Sequence, residues 1–105
     1  MKKSKSHISA DAFFESLLEN PEVRIRYQEE RSKTEIAATI RAARKRAGLT
    51  QEQLAKKIGS TQSVIARLES GNDARSPTLP LLARIAGACN EELEIRFSFK
   101  KAAGF

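Results

Sequence analysis

The sequence predicts a mainly α-helical fold that ends in a β-strand. Three observations carry this. Apolar residues recur at helical spacing in successive stretches between Ala10 and Cys89. Asn20-Pro21, Gly48, Gly59 and the turn-rich segment from Gly71 to Pro77 interrupt the chain where one helix must stop and the next begin. From Leu93 the period drops to two, with Leu93, Ile95, Phe97 and Phe99 alternating with Glu94, Arg96, Ser98 and Lys100.

Taken in order, Ser9 can cap a helix running to about Asn20, whose Phe13, Phe14, Leu17 and Leu18 form one apolar stripe. Asn20 is a good cap and Pro21 a good first residue for a second helix, and neither Gly nor Pro interrupts the chain again before Gly48. Such a helix would reach about 40 Å at about 1.5 Å per residue. Its middle, RYQEERSKTE, is almost wholly polar. That suits either a solvent-exposed connector or a break near Ser32 to Thr34, and the pattern alone leaves both open. From Glu35 the apolar pattern resumes with Ile36, Ala37, Ile40 and Ala43, and Arg44, Lys45 and Arg46 suit the negative end of the helix dipole before Gly48. Leu54, Ala55 and Ile58 make one face of the next helix, and Val64, Ile65 and Leu68 one face of the helix after Gly59. Leu79, Leu82, Ala83, Ile85 and Ala86 give a last helix, with Pro80 tolerable only in its first turn. A lone strand at Leu93 to Phe99 would leave unpaired backbone groups and an apolar face. Pairing with the same strand of a second copy about a two-fold axis resolves both, so a homodimer is expected, with Leu93, Ile95, Phe97 and Phe99 as its dimerisation residues.

The chain has 105 residues, enough for one small domain with an appendage, and no hydrophobic run long enough to span a membrane. Met1 to His7 is basic but no apolar segment follows, so a secretory signal is not expected and a cytoplasmic location is. Cys89 is expected as a small core residue. With His7 it leaves too few soft ligands for a zinc site, and no metal or cofactor is expected. The formal net charge is +6. Residues 1–33 carry only +1 of it, whereas residues 41–75 alone carry +5. Positive charge is thus concentrated on and beside the two short helices that meet at Gly59, as a footprint for phosphate would be.

The segment LTQEQLAKKIGSTQSVIARLESG, Leu49 to Gly71, turns its small apolar residues inward across a glycine turn. Thr61, Gln62, Ser63 and Arg67 are left outside, near the start of an exposed helix. Short polar donors and acceptors in that position fit the major groove of duplex DNA. A small basic nuclease of the same size and charge is disfavoured, because His7 has no second base, metal cluster or activated nucleophile beside it. The chain is therefore not expected to be an enzyme.

Residues 35 to 90 resemble the phage-repressor, or Xre and Cro, class of helix-turn-helix domains. The likeness rests on Gln51, Leu54-Ala55, the Gly59 turn, Thr61-Gln62, the Ile65 to Leu68-Glu69-x-Gly71 ending, and Arg75 and Pro77 in the next loop. It implies a five-helix repressor-like core over residues 34–90, between an N-terminal helical extension at 1–33 and a dimerisation strand and tail at 91–105. It further implies that Gln51 binds a phosphate and braces Gln62 against an adenine. Thr61 would meet a phosphate or thymine methyl, Ser63 a base edge, and Arg67 a guanine or phosphate, with Asn72 and Arg75 on the DNA backbone. Arg44 and Glu69 would pair as a partly buried salt bridge. Lys45 and Arg46 read as solvated or near phosphate.

The long helical extension joined to RAARKRAGLTQEQLA and the LEIRF strand look like antitoxins of the HigA type. That likeness implies a RelE-like ribonuclease toxin as partner and repression of the chain's own operon at double-stranded operator DNA. The toxin surface would be the apolar stripe of Phe13, Phe14, Leu17, Leu18, Val23, Ile25 and Tyr27. The alternative is a free-standing repressor of phage or metabolic type, whose extension is architectural.

Overall fold

The computed structural model describes residues 9–72 and 76–98, which hold five helices: α1 Ala10–Leu17, α2 Pro21–Arg46, α3 Gln51–Ile58, α4 Gln62–Ser70 and α5 Leu79–Ala88. Each begins where a side chain can accept from an orphan backbone N–H. Ser9 caps α1, Asn20 caps α2 ahead of Pro21, Thr61 caps α4 and Thr78 caps α5. Thr50 and Gln53 form a reciprocal capping box on α3, with bonds of 3.0 and 2.8 Å.

α2 is unbroken through its polar middle. At the position where a break was conceivable, Thr34 donates its hydroxyl to the Glu30 carbonyl at 3.1 Å, so it does not cap a new helix. Lys33–Glu30 and Arg31–Glu35 pair along the same surface at 3.4 and 3.3 Å. Such exposed pairs add only about 0.3–0.5 kcal/mol each, but here they favour the continuous helix. The expected five-helix core plus extension is accordingly corrected to five helices in all. The last turns of α2 with α3, α4 and α5 enclose the core, while α1 and the first turns of α2 form the extension.

That core is made by Ile40, Ala43, Leu54, Ala55, Ile58, Ile65, Leu68, Ile85 and Cys89, with Leu54 and Ile65 fully buried. α3 packs chiefly on α4, α2 crosses α4, and α5 lies against α3 and α2. The α3–α4 turn requires Gly59, which sits at φ +72° while Ser60 N–H returns to the Ala55 carbonyl at 2.8 Å. α5 ends in the same way without a glycine. Asn90 takes φ +61°, and Glu91 N–H returns to the Ala86 carbonyl at 2.8 Å. Burial pushes the Cys89 thiol above its ordinary pKa, in keeping with a packing role.

The expected strand is not formed. Residues 91–98 carry no strand pairing, and Leu93, Ile95 and Phe97 are exposed; Phe99 lies outside the described residues. A strand is defined by a ladder to a neighbouring strand, and among the described residues every regular element is a helix. No described helix is long and apolar enough to cross a membrane.

Candidate nucleic-acid interface

Four side chains from three helices are linked in one line from the core to the surface. Arg44 on α2 forks onto Glu69 on α4, with Nε to Oε2 at 2.6 Å and Nη2 to Oε1 at 3.0 Å. Gln51, the first residue of α3, donates Nε2 to Glu69 Oε1 at 3.1 Å. Gln62, the first residue of α4, donates Nε2 to Gln51 Oε1 at 2.7 Å.

The direction of these bonds follows from the chemistry of the inner end. An ionised carboxylate can only accept, so Gln51 must turn its amide nitrogen toward Glu69. Its oxygen is then the atom offered to Gln62. Gln62 uses one amide hydrogen on it and keeps the other hydrogen and its carbonyl oxygen for a ligand. One donor and one acceptor on a planar amide is the pair that matches N7 and N6 of adenine in the major groove.

The inner end is well supplied with charge. Glu69 is 5 % exposed and close to the negative end of α4, and both conditions disfavour a carboxylate. Burial pushes its pKa up, but the Arg44 guanidinium and the Gln51 amide more than offset this and hold it below the usual carboxylate range. Its hydrogen bond to Glu69 in turn raises Arg44 above its ordinary value. Arg44 also donates to the Leu49 carbonyl at 2.8 Å, which fastens the α2–α3 turn. Arg41 donates to the Glu69 backbone carbonyl at 2.8 Å, satisfying a carbonyl of the last turn of α4. Arg41 was not singled out in the sequence. Its spacing of three from Arg44, on one face of α2, was the signal available.

The remaining expected DNA contacts are placed as follows. Gln62, Ser63 and Arg67 are exposed along α4, and Thr61 is exposed at its cap with Oγ1 accepting from Val64 N–H at 3.3 Å. Asn72 is exposed just beyond α4, its N–H donating to Ser70 Oγ at 3.1 Å. Arg75 lies outside the described residues. Arg46 forms a surface fork with Glu91, both bonds at 2.8 Å, and is not simply solvated. This pair lowers the pKa of Glu91.

The apolar stripe of the extension divides. Phe14 meets Tyr27 edge-on, with ring centroids 5.0 Å apart, and Leu18 and Tyr27 are half-buried. Phe13, Leu17, Val23 and Ile25 remain exposed, Phe13 and Ile25 by more than half. Part of the stripe thus folds α1 back onto α2, and part is left uncovered.

A protein-family model described as helix-turn-helix matches residues 40–95. A protein of Methanothermobacter thermautotrophicus is 49% identical over 53 residues, spanning 50% of this chain and 74% of its own length. One of Archaeoglobus fulgidus is 42% identical over 60 residues, spanning 57% of this chain and 83% of its own. Both are named uncharacterized HTH-type transcriptional regulators. No solved structure matches. The matched region contains α3, the Gly59 turn, α4 and the whole Arg44–Glu69–Gln51–Gln62 line, and the chain belongs to the helix-turn-helix family.

Proposed function

We propose that the chain is a sequence-specific DNA-binding regulator of transcription that lays α4 in the major groove. The observation that carries this is the Gln62 amide, held at the exposed start of α4 by a hydrogen-bonded line anchored on a buried ion pair. Thr61, Ser63 and Arg67 extend the reading surface, while Gln51, Thr61, Asn72 and Arg75 bind phosphates. The regulator acts as a homodimer through Leu93, Ile95, Phe97 and Phe99. The exposure of Leu93, Ile95 and Phe97 on a segment without a strand neighbour supports this. Two copies place α4 on half-sites about 34 Å apart. Selection of binding sites from random duplex DNA tests the reading. A pseudo-palindromic consensus, bound with an affinity that falls steeply with salt, is expected. Equal affinity for every sequence would refute it.

The finer reading is an antitoxin: residues 1–33 bind a small RelE-like ribonuclease toxin, residues 34–90 bind the operator, and residues 91–105 join the copies. It is supported by the exposure of Phe13, Leu17, Val23 and Ile25 on the extension, whereas the reading line lies on α2, α3 and α4. Phe13→Glu with Ile25→Glu should abolish copurification with a toxin expressed from the adjoining gene and leave DNA binding intact. Retained copurification would favour a free-standing repressor.

A further inference from the structure

We infer that the two copies pair in one register, an antiparallel ribbon whose two-fold axis passes through Ile95, with Glu94 of each copy opposite Arg96 of the other. The inference rests on the homodimer reading above and narrows it to one arrangement. The root of the segment is fixed. Asn90 turns the chain out of α5 at φ +61°, and Glu91 is held by its N–H on the Ala86 carbonyl and by its carboxylate on Arg46. Beyond it residues 91–98 are exposed, Phe97 to 98%. Leu93 borders an open groove of about 210 Å³ that is also lined by Ile40, Leu82, Ile85 and Ala86.

Charge and the groove select the register. Residues directly opposite in an antiparallel pair share a face, so the axis must pass through a residue if apolar side chains are to meet apolar ones. An axis through Glu94 sets that carboxylate against itself, and one through Arg96 sets the guanidinium against itself. An axis through Leu93 opposes Glu92 to Glu94, and one through Ser98 opposes Arg96 to Lys100. Each is repulsive. An axis through Phe97 would pair Glu94 with Lys100, but it sets Lys101 opposite Leu93, bringing a charge to the apolar edge of the groove, and leaves Arg96 facing Ser98. The axis through Ile95 satisfies both faces. It gives two Glu94–Arg96 pairs on the charged face, and on the apolar face it puts Phe97 of each copy opposite Leu93 of the other, at the edge of the groove.

Sedimentation velocity of the full chain and three variants tests the register. The unaltered chain is expected as a dimer, and Glu94→Arg and Arg96→Glu each as a monomer, because each variant opposes like charges at two positions. Arg96→Glu separates this register from the one centred on Phe97, where residue 96 faces only Ser98 and the dimer would persist. An equimolar mixture of the two single variants, and the double variant carrying both changes, should recover the dimer. A dimer that survives either single change, or is lost without recovery in the mixture, would overturn the register and leave the homodimer standing. An unaltered chain that sediments as a monomer would overturn both.

Discussion

Replacing Glu69 with alanine removes the acceptor on which three bonds converge: two from Arg44 and one from Gln51. The Arg44 side chain is 12% exposed, so its charge is left largely desolvated. Breaking a buried pair from one side costs about 3–5 kcal/mol. The lower end applies, because Arg44 keeps its bond to the Leu49 carbonyl and part of its guanidinium reaches water. For a small domain each kcal/mol moves Tm by about 4–8 °C, so about 3 kcal/mol corresponds to a fall of at least about 12 °C. Thermal unfolding followed by far-ultraviolet circular dichroism measures it. Replacing both partners with apolar residues, Arg44→Met with Glu69→Leu, should cost much less than Glu69→Ala alone, since no charge is then stranded. An unchanged Tm in Glu69→Ala, or a double variant as unstable as the sum of its singles, would refute the argument that the ion pair anchors the domain.

The pKa of Glu69 is depressed in the folded chain, so its contribution is complete above the ordinary carboxylate pKa and lost as pH falls through the folded value. Denaturant titrations from neutral pH to about pH 3 should show a loss of stability that is smaller in Glu69→Ala. Gln62→Ala should leave Tm unchanged, because the residue is exposed, while costing about 1–3 kcal/mol of DNA affinity, roughly 5- to 150-fold, at one base position. Equilibrium binding to a set of single-base operator variants reads this out, and unaltered preference at every position would show that Gln62 does not read a base. Gly59→Ala should cost about 1–2 kcal/mol from the positive φ alone, as a Cβ there meets nothing within 4 Å. A cost well above this in urea unfolding would mean that the turn is also sterically closed.

Local chemistry was enough to predict much of the architecture. Ser9, Asn20, Thr50, Thr61 and Thr78 start helices because a short polar side chain reaches an adjacent N–H, and Gly59 turns the chain because it alone tolerates the backbone angle there. The apolar spacing of Ile40, Leu54, Ile65 and Ile85 likewise assigned their faces to the core. These are signals within one or two turns. Whether α2 would break at Thr34 turned on a competition between nearly equal local options, so the pattern left it open. The identity of what Phe14 and Tyr27 touch, or of what Arg46 pairs with 45 residues away, depends on where separate helices come to rest. The alternation at Leu93 to Phe97 was real as a pattern, yet alternation supplies only a face, and the ladder needs a second edge that one chain's helices do not offer. The reading line shows the division most clearly. Gln51, Gln62, Arg44 and Glu69 can each be picked out in the sequence. Which amide atom Gln62 presents follows only once folding brings a buried carboxylate within 3.1 Å of Gln51, because an acceptor-only group then sets the direction of every bond beyond it.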